Sequence, residues 1–332
     1  MIDLRHGDCL ELMKSIPDQS VNLVLTDPPY NIGVQSQKNG RKKTEQWDRI
    51  DDYIDWCIDW LLECQRVLKP NGVLYFWHND MAQIAELMEA IRKRTNLVFI
   101  SFCIWDKGSS YRAQTWHQRD PEGKTALRSW FNICEYCLHF FNAPKDAEAN
   151  WAHTGLDRIN SNPECYKELK DWVDSEKTRL GLTDKDIARK YTEVTGKKPY
   201  MLRHYFQNSQ FEIPTQQVWE SVYMPLGFGK SYEELRNVHN VDPMHCNIWH
   251  IPPIPSNNRL HTCQKPVELL ERLICVSSNE SATVLDCFMG SGSTGVACIN
   301  TGRRFMGIEK DSQYFEIARK RLDEASEQSR LF

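Results

Sequence analysis

The stretch Asp27-Pro28-Pro29-Tyr30 follows the apolar run Val21 to Leu25, which is typical of a half-buried β-strand. Neither proline can donate a hydrogen bond to a neighbouring strand, and each fixes its own φ angle, so the strand must end there. The pattern therefore predicts a rigid loop at the carboxyl end of a strand. In open α/β sheets, that edge is where ligands bind.

The same four residues offer a carboxylate, free backbone carbonyls and an aromatic ring. This set suits a flat heterocycle that bears an amino group, because the oxygens can accept its hydrogens and the ring can stack on its face. A tight turn with an incidental aspartate would leave the same four letters. The choice between these interpretations depends on the rest of the chain.

The composition is that of a soluble globular protein. The 332 residues are 41% hydrophobic and 26% charged, which suits one large domain with an insert or two domains. No apolar run approaches the roughly 18 residues of a membrane span, and residues 1–5 show no signal-peptide pattern, so we expect a cytoplasmic protein. The net charge of −4 argues against unspecific attraction to polyanions but leaves room for a local basic groove.

The twelve cysteines are scattered through apolar segments, which predicts buried thiols in a chain without an export signal. Cys134 and Cys137 form the one C-x-x-C of the sequence, and no second pair stands at zinc-ribbon spacing. We therefore predict no metal site.

Strands and helices alternate over the first part of the chain. Apolar residues recur at three and four positions from Tyr53 to Leu68, and a second helical run spans about Met81 to Arg94. Strands are expected at 73–77 and 98–105. This alternation predicts an α/β fold built on a doubly wound, mostly parallel sheet.

The alternation then stops, and residues 143–247 are more polar, with short helical segments that predict a mostly helical insert. Thr183 begins a capping pattern for a helix that ends at Gly196, and a second short run covers 201–206. Two helices joined by a short turn with glycine permit a helix-turn-helix interpretation. Ten Lys or Arg against seven Asp or Glu at 165–210 favour nucleic acid, although an ordinary helical hairpin could carry as many.

A second motif stands near the end of the chain, where Gly290, Gly292 and Gly295 match G-x-G-x-x-G between a predicted strand and a helix. Glu309 closes the next strand, at the position where a carboxylate can hold two ribose hydroxyls. Alone, the motif would serve NAD, FAD or S-adenosylmethionine equally, and a tight structural turn is a further alternative. Asp8, at the start of an amphipathic stretch, is either a helix N-cap or a ligand contact.

An adenosine-containing cofactor at one motif and an amino heterocycle at the other together describe methyl transfer to an amino nitrogen. With D-P-P-Y first, then His261-Thr-Cys-Gln-Lys265-Pro266, then F-x-G-S-G from Phe288, the chain resembles the β group of amino-group DNA methyltransferases. The resemblance covers about 1–142 and 248–326. It implies a Rossmann-like fold, dependent on S-adenosylmethionine, with a circularly permuted motif order.

The resemblance also implies three parts of the chain: a methyltransferase core over 1–142, a target-recognition insert over 143–247 and the second part of the core, with the cofactor motifs, over 248–332. Asp27 and the Pro28 carbonyl would accept hydrogen bonds from the target amino group, and Tyr30 would stack on a flipped base next to Pro29. The implied cofactor contacts are Asp8, Asp27, Lys265, Pro266, Asp286, Phe288, Gly290, Ser291, Gly292, Ser293, Thr294 and Glu309.

Contacts to DNA are expected from basic residues in two regions. Residues 31–46 form a polar, basic stretch without an apolar period, and we predict a loop whose lysines contact phosphate. A solvated surface loop is the alternative interpretation. The candidates here and around the possible helix-turn-helix are Lys42, Lys43, Lys185, Arg189, Lys197, Lys198 and Arg203.

The resemblance implies a site-specific enzyme of bacterial or phage origin that acts on double-stranded DNA, with a homodimer and a cognate restriction endonuclease as candidate partners. Aspartate at the start of the motif favours adenine N6 as the target over cytosine N4, where serine more often stands. No proline is followed by cysteine, so the nucleophile of ring-carbon methyltransferases is missing. A non-catalytic DNA-binding subunit, a nicotinamide-dependent dehydrogenase and an RNA substrate remain as alternatives.

Overall fold

The structure, a computed structural model, describes residues 1–33, 35–38, 41–44, 48–108, 133–142, 167–199, 214–232, 246–261 and 263–329. By its internal contacts the chain divides into two compact units. The first comprises Met1–Asn142 and Val241–Phe332, and the second is Ala143–Asn240.

The first unit is built from strands and helices in alternation. Its described strands are β1 (Ile2–His6), β2 (Val21–Thr26), β3 (Gln35–Lys38), β4 (Arg41–Thr44), β5 (Leu68–His78), β6 (Leu97–Asp106), β7 (Cys134–Asn142), β8 (Ile248–His250), β9 (Thr283–Asp286) and β10 (Arg304–Glu309). Its α-helices are α1 (Cys9–Met13), α2 (Tyr53–Val67), α3 (Met81–Arg94), α6 (Val267–Ser277), α7 (Ser293–Asn300) and α8 (Ser312–Ser329). Helices α4 (Lys167–Leu180) and α5 (Asp184–Thr195) belong to the second unit.

In the described part of the chain, eight strands form one sheet in the order β1-β10-β9-β2-β5-β7-β6-β8. Neighbouring strands are parallel except at β7, which runs antiparallel to both β5 and β6. The predicted α/β fold with a mostly parallel sheet is confirmed. The parallel strands all end at the same edge, so the residues that follow them meet there.

Helices cover both faces of the sheet, which is why its central strands are apolar at consecutive positions. On β2, Val24 packs into the core that α1, α2 and α3 form on one face. Its neighbours Leu23 and Leu25 pack into the core with α6, α7 and α8 on the other face. All three leucine and valine side chains are fully buried, so β2 is held from both sides directly before the D-P-P-Y loop.

The prediction of a loop over 31–46 is wrong for part of its length, because β3 and β4 pair there as an antiparallel hairpin. Both strands are polar throughout, so no alternation of apolar residues marked them in the sequence. Strand β5 is also longer than the predicted 73–77, because it begins at Leu68, directly after α2. A Cβ on Gly72 would lie 2.9 Å from the Lys69 carbonyl oxygen, so a larger residue does not fit there without a shift.

Helix α3 has the predicted bounds. The Asp80 carboxylate caps its start by accepting from the backbone N–H of Ala82 at 2.9 Å and of Gln83 at 3.1 Å. Its last turn carries Arg92 to Arg94, cations that the helix dipole favours at that end. Among the helices that the structure describes, none is long and apolar enough to cross a membrane.

The second unit is helical in its described part, with α4 (Lys167–Leu180), α5 (Asp184–Thr195) and short helical turns between 216 and 226. The predicted cap of α5 is confirmed, since Asp186 accepts from the Thr183 backbone N–H at 2.9 Å and Gly196 ends the helix in a left-handed conformation, with φ of 68°. The expected second helix over 201–206 lies outside the described residues.

Candidate active site

A cavity of about 500 Å³ lies at the carboxyl edge of the sheet, where β1, β2, β9 and β10 end. The D-P-P-Y loop follows β2, the glycine-rich loop follows β9, and Glu309 closes β10. Both motifs line this cavity, although they stand near opposite ends of the sequence. The parallel arrangement of the strands is what brings them together.

The Asp27 carboxylate is held from two sides. The Tyr30 hydroxyl donates to its Oδ1 at 2.5 Å, and Lys265 Nζ donates to its Oδ2 at 2.5 Å. The same ammonium also donates to the Tyr30 hydroxyl at 3.2 Å. A carboxylate has about four lone-pair positions, so each oxygen of Asp27 can still accept a hydrogen bond from a ligand.

The Lys265 ammonium is buried between two carboxylates. Besides Asp27, it lies 3.1 Å from Oε2 of Glu135 on β7, and Lys107 pairs with the other oxygen of Glu135. Burial lowers the pKa of Lys265, but the two carboxylates more than compensate and raise it above its ordinary value. Lys265 is therefore an ammonium near neutral pH.

The two carboxyl groups differ in how burial and charge balance. Burial raises the pKa of the Asp27 carboxyl, and the Lys265 ammonium opposes that rise. Burial acts in the same direction on Glu135, but the ammonium groups of Lys265 and Lys107 outweigh it and lower its pKa to about 2. Glu135 is thus a permanent negative charge next to the ion pair at the cavity.

A chain of hydrogen bonds holds the backbone of the D-P-P-Y loop. The Tyr53 hydroxyl on α2 donates to the Pro29 carbonyl at 2.8 Å and lies 2.9 Å from His78 Nε2. His78 Nδ1 accepts from the Asp80 backbone N–H, so the proton of the neutral ring belongs on Nε2. Burial lowers the pKa of His78 to about 4, which keeps this arrangement neutral near pH 7.

The segment after Tyr30 is fixed in a similar way. Asp48, which is fully buried, accepts from the backbone N–H of Asn31 at 2.7 Å and of Ile32 at 3.1 Å. The Asn31 side chain in turn accepts from the Ile50 backbone N–H at 3.0 Å. Asn31 has a φ of 56°, a left-handed conformation that asparagine tolerates better than most residues. The loop is therefore rigid on both sides of its aromatic residue.

The three glycines of the second motif have different roles. Gly290 lines the cavity, and its N–H donates to Glu309 Oε2 at 2.8 Å. Gly292 caps the start of α7 in a left-handed conformation. A Cβ on Gly295 would lie 2.6 Å from Leu322 Cδ2, so this glycine lets α7 pack closely against α8.

Asp286, at the end of β9, holds the glycine-rich turn in place. Its oxygens accept from the hydroxyls of Thr26 at 2.7 Å and Thr294 at 2.6 Å, and from the Phe288 backbone N–H at 3.1 Å. Burial raises the pKa of Asp286 to about 6, and these hydrogen bonds oppose the rise. The aspartate thereby connects the strand before D-P-P-Y to the cofactor motif.

The remaining cofactor candidates mostly line the same cavity. Asp8 caps α1 by accepting from the Leu10 backbone N–H at 3.0 Å and also faces the cavity, so the two interpretations of this residue are compatible. Pro266 and Gly292 do not line it. The candidates that do are Asp8, Asp27, Lys265, Asp286, Phe288, Gly290, Ser291, Ser293, Thr294 and Glu309.

The DNA-contact candidates fall into three groups. The side chains of Lys185, Arg189, Lys197 and Lys198 are exposed on and after α5, and Arg189 pairs with Asp186 at 2.9 Å. For Lys42 and Lys43 the structure describes only their place on β4. Arg203 lies outside the described residues.

Several residues of the site were not predicted from the sequence, above all Glu135, Lys107, Tyr53 and His78. Glu135 is an isolated charge within a strand-like apolar run. Because a charge in a buried strand needs an oppositely charged partner, this position could have predicted a buried ion pair. Nothing in the sequence indicates that this partner is Lys265. Tyr53 lies on the apolar face of a predicted amphipathic helix, so the sequence indicates only a core residue at this position.

The sheet, the two motifs and their common cavity define a methyltransferase of the Rossmann-like type. The model of the DNA methylase family that comprises N6 and N4 methyltransferases matches residues 21–320. The chain therefore belongs to this family and is a DNA methyltransferase that acts on amino groups. The methyl donor of the family is S-adenosylmethionine.

Two relatives illustrate the similarity in sequence. DNA adenine methyltransferase YhdJ of Escherichia coli (strain K12) is 30% identical over 329 residues, which covers 98% of this chain and 83% of that protein. Type II methyltransferase M.HpaI of Haemophilus parainfluenzae is 26% identical over 320 residues, which covers 96% of this chain and 73% of that protein.

Solved structures share the fold. A putative DNA modification methylase of Thermus thermophilus, TTHA0409, in complex with S-adenosylmethionine, has a TM-score of 0.51 and 21% identity, covering 98% of this chain and 96% of its own. The cytosine-N4-specific PvuII DNA methyltransferase has a TM-score of 0.52 and 12% identity, covering 99% of this chain and 92% of its own. The second similarity shows that one fold accommodates a cytosine-N4 enzyme.

Proposed function

We propose that this protein transfers the methyl group of S-adenosylmethionine to the N6 amino group of adenine within a specific sequence of double-stranded DNA. The observation that carries the proposal is the Asp27 carboxylate, fixed at the cavity by Tyr30 and Lys265 with acceptor capacity left on both oxygens. Aspartate at this motif position, together with 30% identity to a relative named DNA adenine methyltransferase, favours adenine over cytosine.

The cavity suits S-adenosylmethionine, which supplies an electrophilic methyl group on a positively charged sulfur. Each oxygen of Glu309 accepts one backbone hydrogen bond, from Gly290 at 2.8 Å and from Asp311 at 2.7 Å. A further lone pair remains on each oxygen, and two neighbouring ribose hydroxyls could occupy them. Gly290 lacks a side chain between the backbone and the cavity, and Phe288 adds an apolar wall.

The target nitrogen needs help because its lone pair is conjugated with the ring of the base. Hydrogen bonds from the amino group to Asp27 and to the Pro28 carbonyl would hold the nitrogen and favour its tetrahedral form. The carboxylate would also stabilise the positive charge that develops on the nitrogen, and it can accept the proton that the methylated nitrogen then loses. No covalent bond between the protein and the base is needed.

The ring of Tyr30 is the proposed stacking partner of the flipped base. Its orientation is fixed, because the hydroxyl bonds to Asp27 and the ring stacks on His78 with centroids 5.0 Å apart. A base that reaches the cavity would therefore meet a preformed surface.

The second unit is the proposed reader of the DNA sequence. Its exposed cations on and after α5 would contact phosphates, while residues near them would read base edges. A cognate restriction endonuclease and a homodimer are proposed partners, the former because relatives such as M.HpaI are named Type II methyltransferases. DNA as the substrate favours the bacterial cytoplasm as the location.

Methylation of random-sequence plasmid DNA with labelled S-adenosylmethionine, followed by nucleoside analysis, tests the proposal. We expect N6-methyladenine as the labelled product and, from sequencing, one recognition sequence. N4-methylcytosine as the main product would contradict the adenine assignment and leave the family assignment untouched. The same assay on RNA is the comparison. If RNA were labelled and plasmid DNA were not, the assignment of DNA as the substrate would be wrong.

A further inference from the structure

The Asp27 carboxylate is one end of a row of alternating charges that extends away from the cavity. Asp27 pairs with Lys265, Lys265 with Glu135 and Glu135 with Lys107. The four residues come from separate places in the sequence: the loop after β2, the loop before α6, strand β7 and the end of β6. Such a row forms only in the folded protein, so its members are held by the fold and not by sequence proximity.

The inner members of this row are well shielded from water. The Lys265 side chain is 5% exposed and that of Glu135 is 13% exposed. Lys265 Nζ also lies 5.1 Å from the centre of the Trp77 ring, on the apolar side of the site. A buried ammonium is costly unless carboxylates compensate for it, and here two carboxylates do so.

The second carboxylate changes the electrostatics at the cavity. An ammonium 2.5 Å from Asp27 would by itself cancel most of the negative charge that a developing cation on the target nitrogen needs. Glu135, 3.1 Å from the same ammonium, shares this positive charge, so less of it is left to cancel the charge of Asp27. Lys107 pairs with the other oxygen of Glu135, so the four side chains carry no net charge and their signs alternate along the row.

We propose that Lys265 and Glu135 are positioning residues for the methyl transfer. Lys265 holds Oδ2 of Asp27 while the Tyr30 hydroxyl holds Oδ1, so the carboxylate cannot rotate and presents its free lone pairs to the cavity. Glu135 keeps the Lys265 ammonium in place and shares its positive charge, so that Asp27 retains more of its own negative charge. The inference rests on the proposed function of Asp27 as the acceptor for the target amino group.

The primary test replaces Glu135 by Gln, which keeps the shape and removes the charge. We expect kcat to fall by on the order of 10- to 100-fold, as for a displaced catalytic group, while the KM values for S-adenosylmethionine and DNA change less than about twofold. Glu135→Asp retains the charge and should recover part of kcat. Glu89→Gln, which removes the exposed ion pairs of Glu89 with Arg92 and Lys93 on α3, is the control for a lost charge and should leave kcat unchanged.

A double-mutant cycle with Lys265→Met shows whether Glu135 acts through the ammonium. We expect the double variant to be no slower than Lys265→Met alone, because Glu135 has nothing left to position. Thermal unfolding and calorimetric binding of S-adenosylmethionine verify that each variant is folded. Unchanged kcat in Glu135→Gln, or losses that simply add in the double variant, would overturn the inference, whereas a wild-type protein that methylates no DNA would instead overturn the proposed function.

Discussion

The Tyr53 hydroxyl donates to the Pro29 carbonyl at 2.8 Å and so connects helix α2 to the second proline of the D-P-P-Y loop. The bond is oriented by His78, which lies 2.9 Å from the same hydroxyl and is fully buried. Prolines give this loop its rigidity, but they also remove backbone donors that could anchor it. The structure supplies the missing anchor through a carbonyl, from a helix that packs under the loop.

Replacing Tyr53 by Phe should therefore affect both stability and turnover. The Pro29 carbonyl and the His78 N–H would lose their partner, which costs about 1–3 kcal/mol of unfolding free energy. A less rigid loop should also lower kcat by on the order of tenfold with little change in KM. Urea unfolding and steady-state methylation measure the two effects.

Tyr136→Phe is the control for this substitution, since the hydroxyl of Tyr136 on β7 has no hydrogen-bond partner in the described ranges. It should change neither quantity. If Tyr53→Phe were as stable and as active as the wild type, the loop would not depend on α2.

Stability should fall in mild acid because of His78. Its pKa is lowered from 6.5 to about 4 by burial, so between these values the unfolded chain binds a proton that the folded protein does not. The contribution is complete above about pH 6.5 and decreases as the pH falls, by about 2 kcal/mol between about pH 7.5 and about pH 5. Unfolding titrations of the wild type and His78→Gln at both pH values measure the difference. An equal loss of stability in both proteins would show that His78 does not titrate in this way.

Glu309→Ala should weaken the binding of S-adenosylmethionine. A charge-assisted hydrogen bond contributes about 1.5–3 kcal/mol, which corresponds to a rise in Kd of roughly 10- to 100-fold. Because Gly290 and Asp311 also donate to this carboxylate, Glu309→Gln is the better matched change, with acceptors for part of the backbone bonds retained. If calorimetry finds the same Kd in both variants as in the wild type, Glu309 does not bind S-adenosylmethionine and only shapes the glycine-rich loop.

Features of the fold and the site that depend on neighbouring residues could be predicted from the sequence, whereas contacts between distant residues could not. The D-P-P-Y strand end, the glycine motif and the bounds of α3 follow from local rules on proline, glycine and apolar spacing, and the parallel sheet then requires both motifs to share an edge. The ion pair of Lys265 with Glu135 could not be foreseen, because it depends on β7 inserting antiparallel between β5 and β6. The hairpin of β3 and β4 was missed because it is polar on both faces.

Lys185 tests the proposed role of the second unit. Its side chain is exposed on α5 and has no ion-pair partner among the described residues, so it is free to contact phosphate. Lys185→Ala should weaken binding to all DNA sequences alike, lower the slope of log K against log salt by about one and leave the methylated sequence unchanged. Binding measured at several salt concentrations, with sequencing of methylated plasmids, provides both readouts. A changed recognition sequence would instead mean that Lys185 reads a base.

The most direct measurement compares a single turnover of wild type and Asp27→Ala on plasmid DNA, with the product nucleosides separated and counted. We predict labelled N6-methyladenine from the wild type and none from the variant, which should remain folded because Glu135 still compensates for the buried Lys265 ammonium. Thermal unfolding establishes that point for the same preparations. Methylation by Asp27→Ala at a rate close to that of the wild type would contradict the central claim that this carboxylate holds the target amino group.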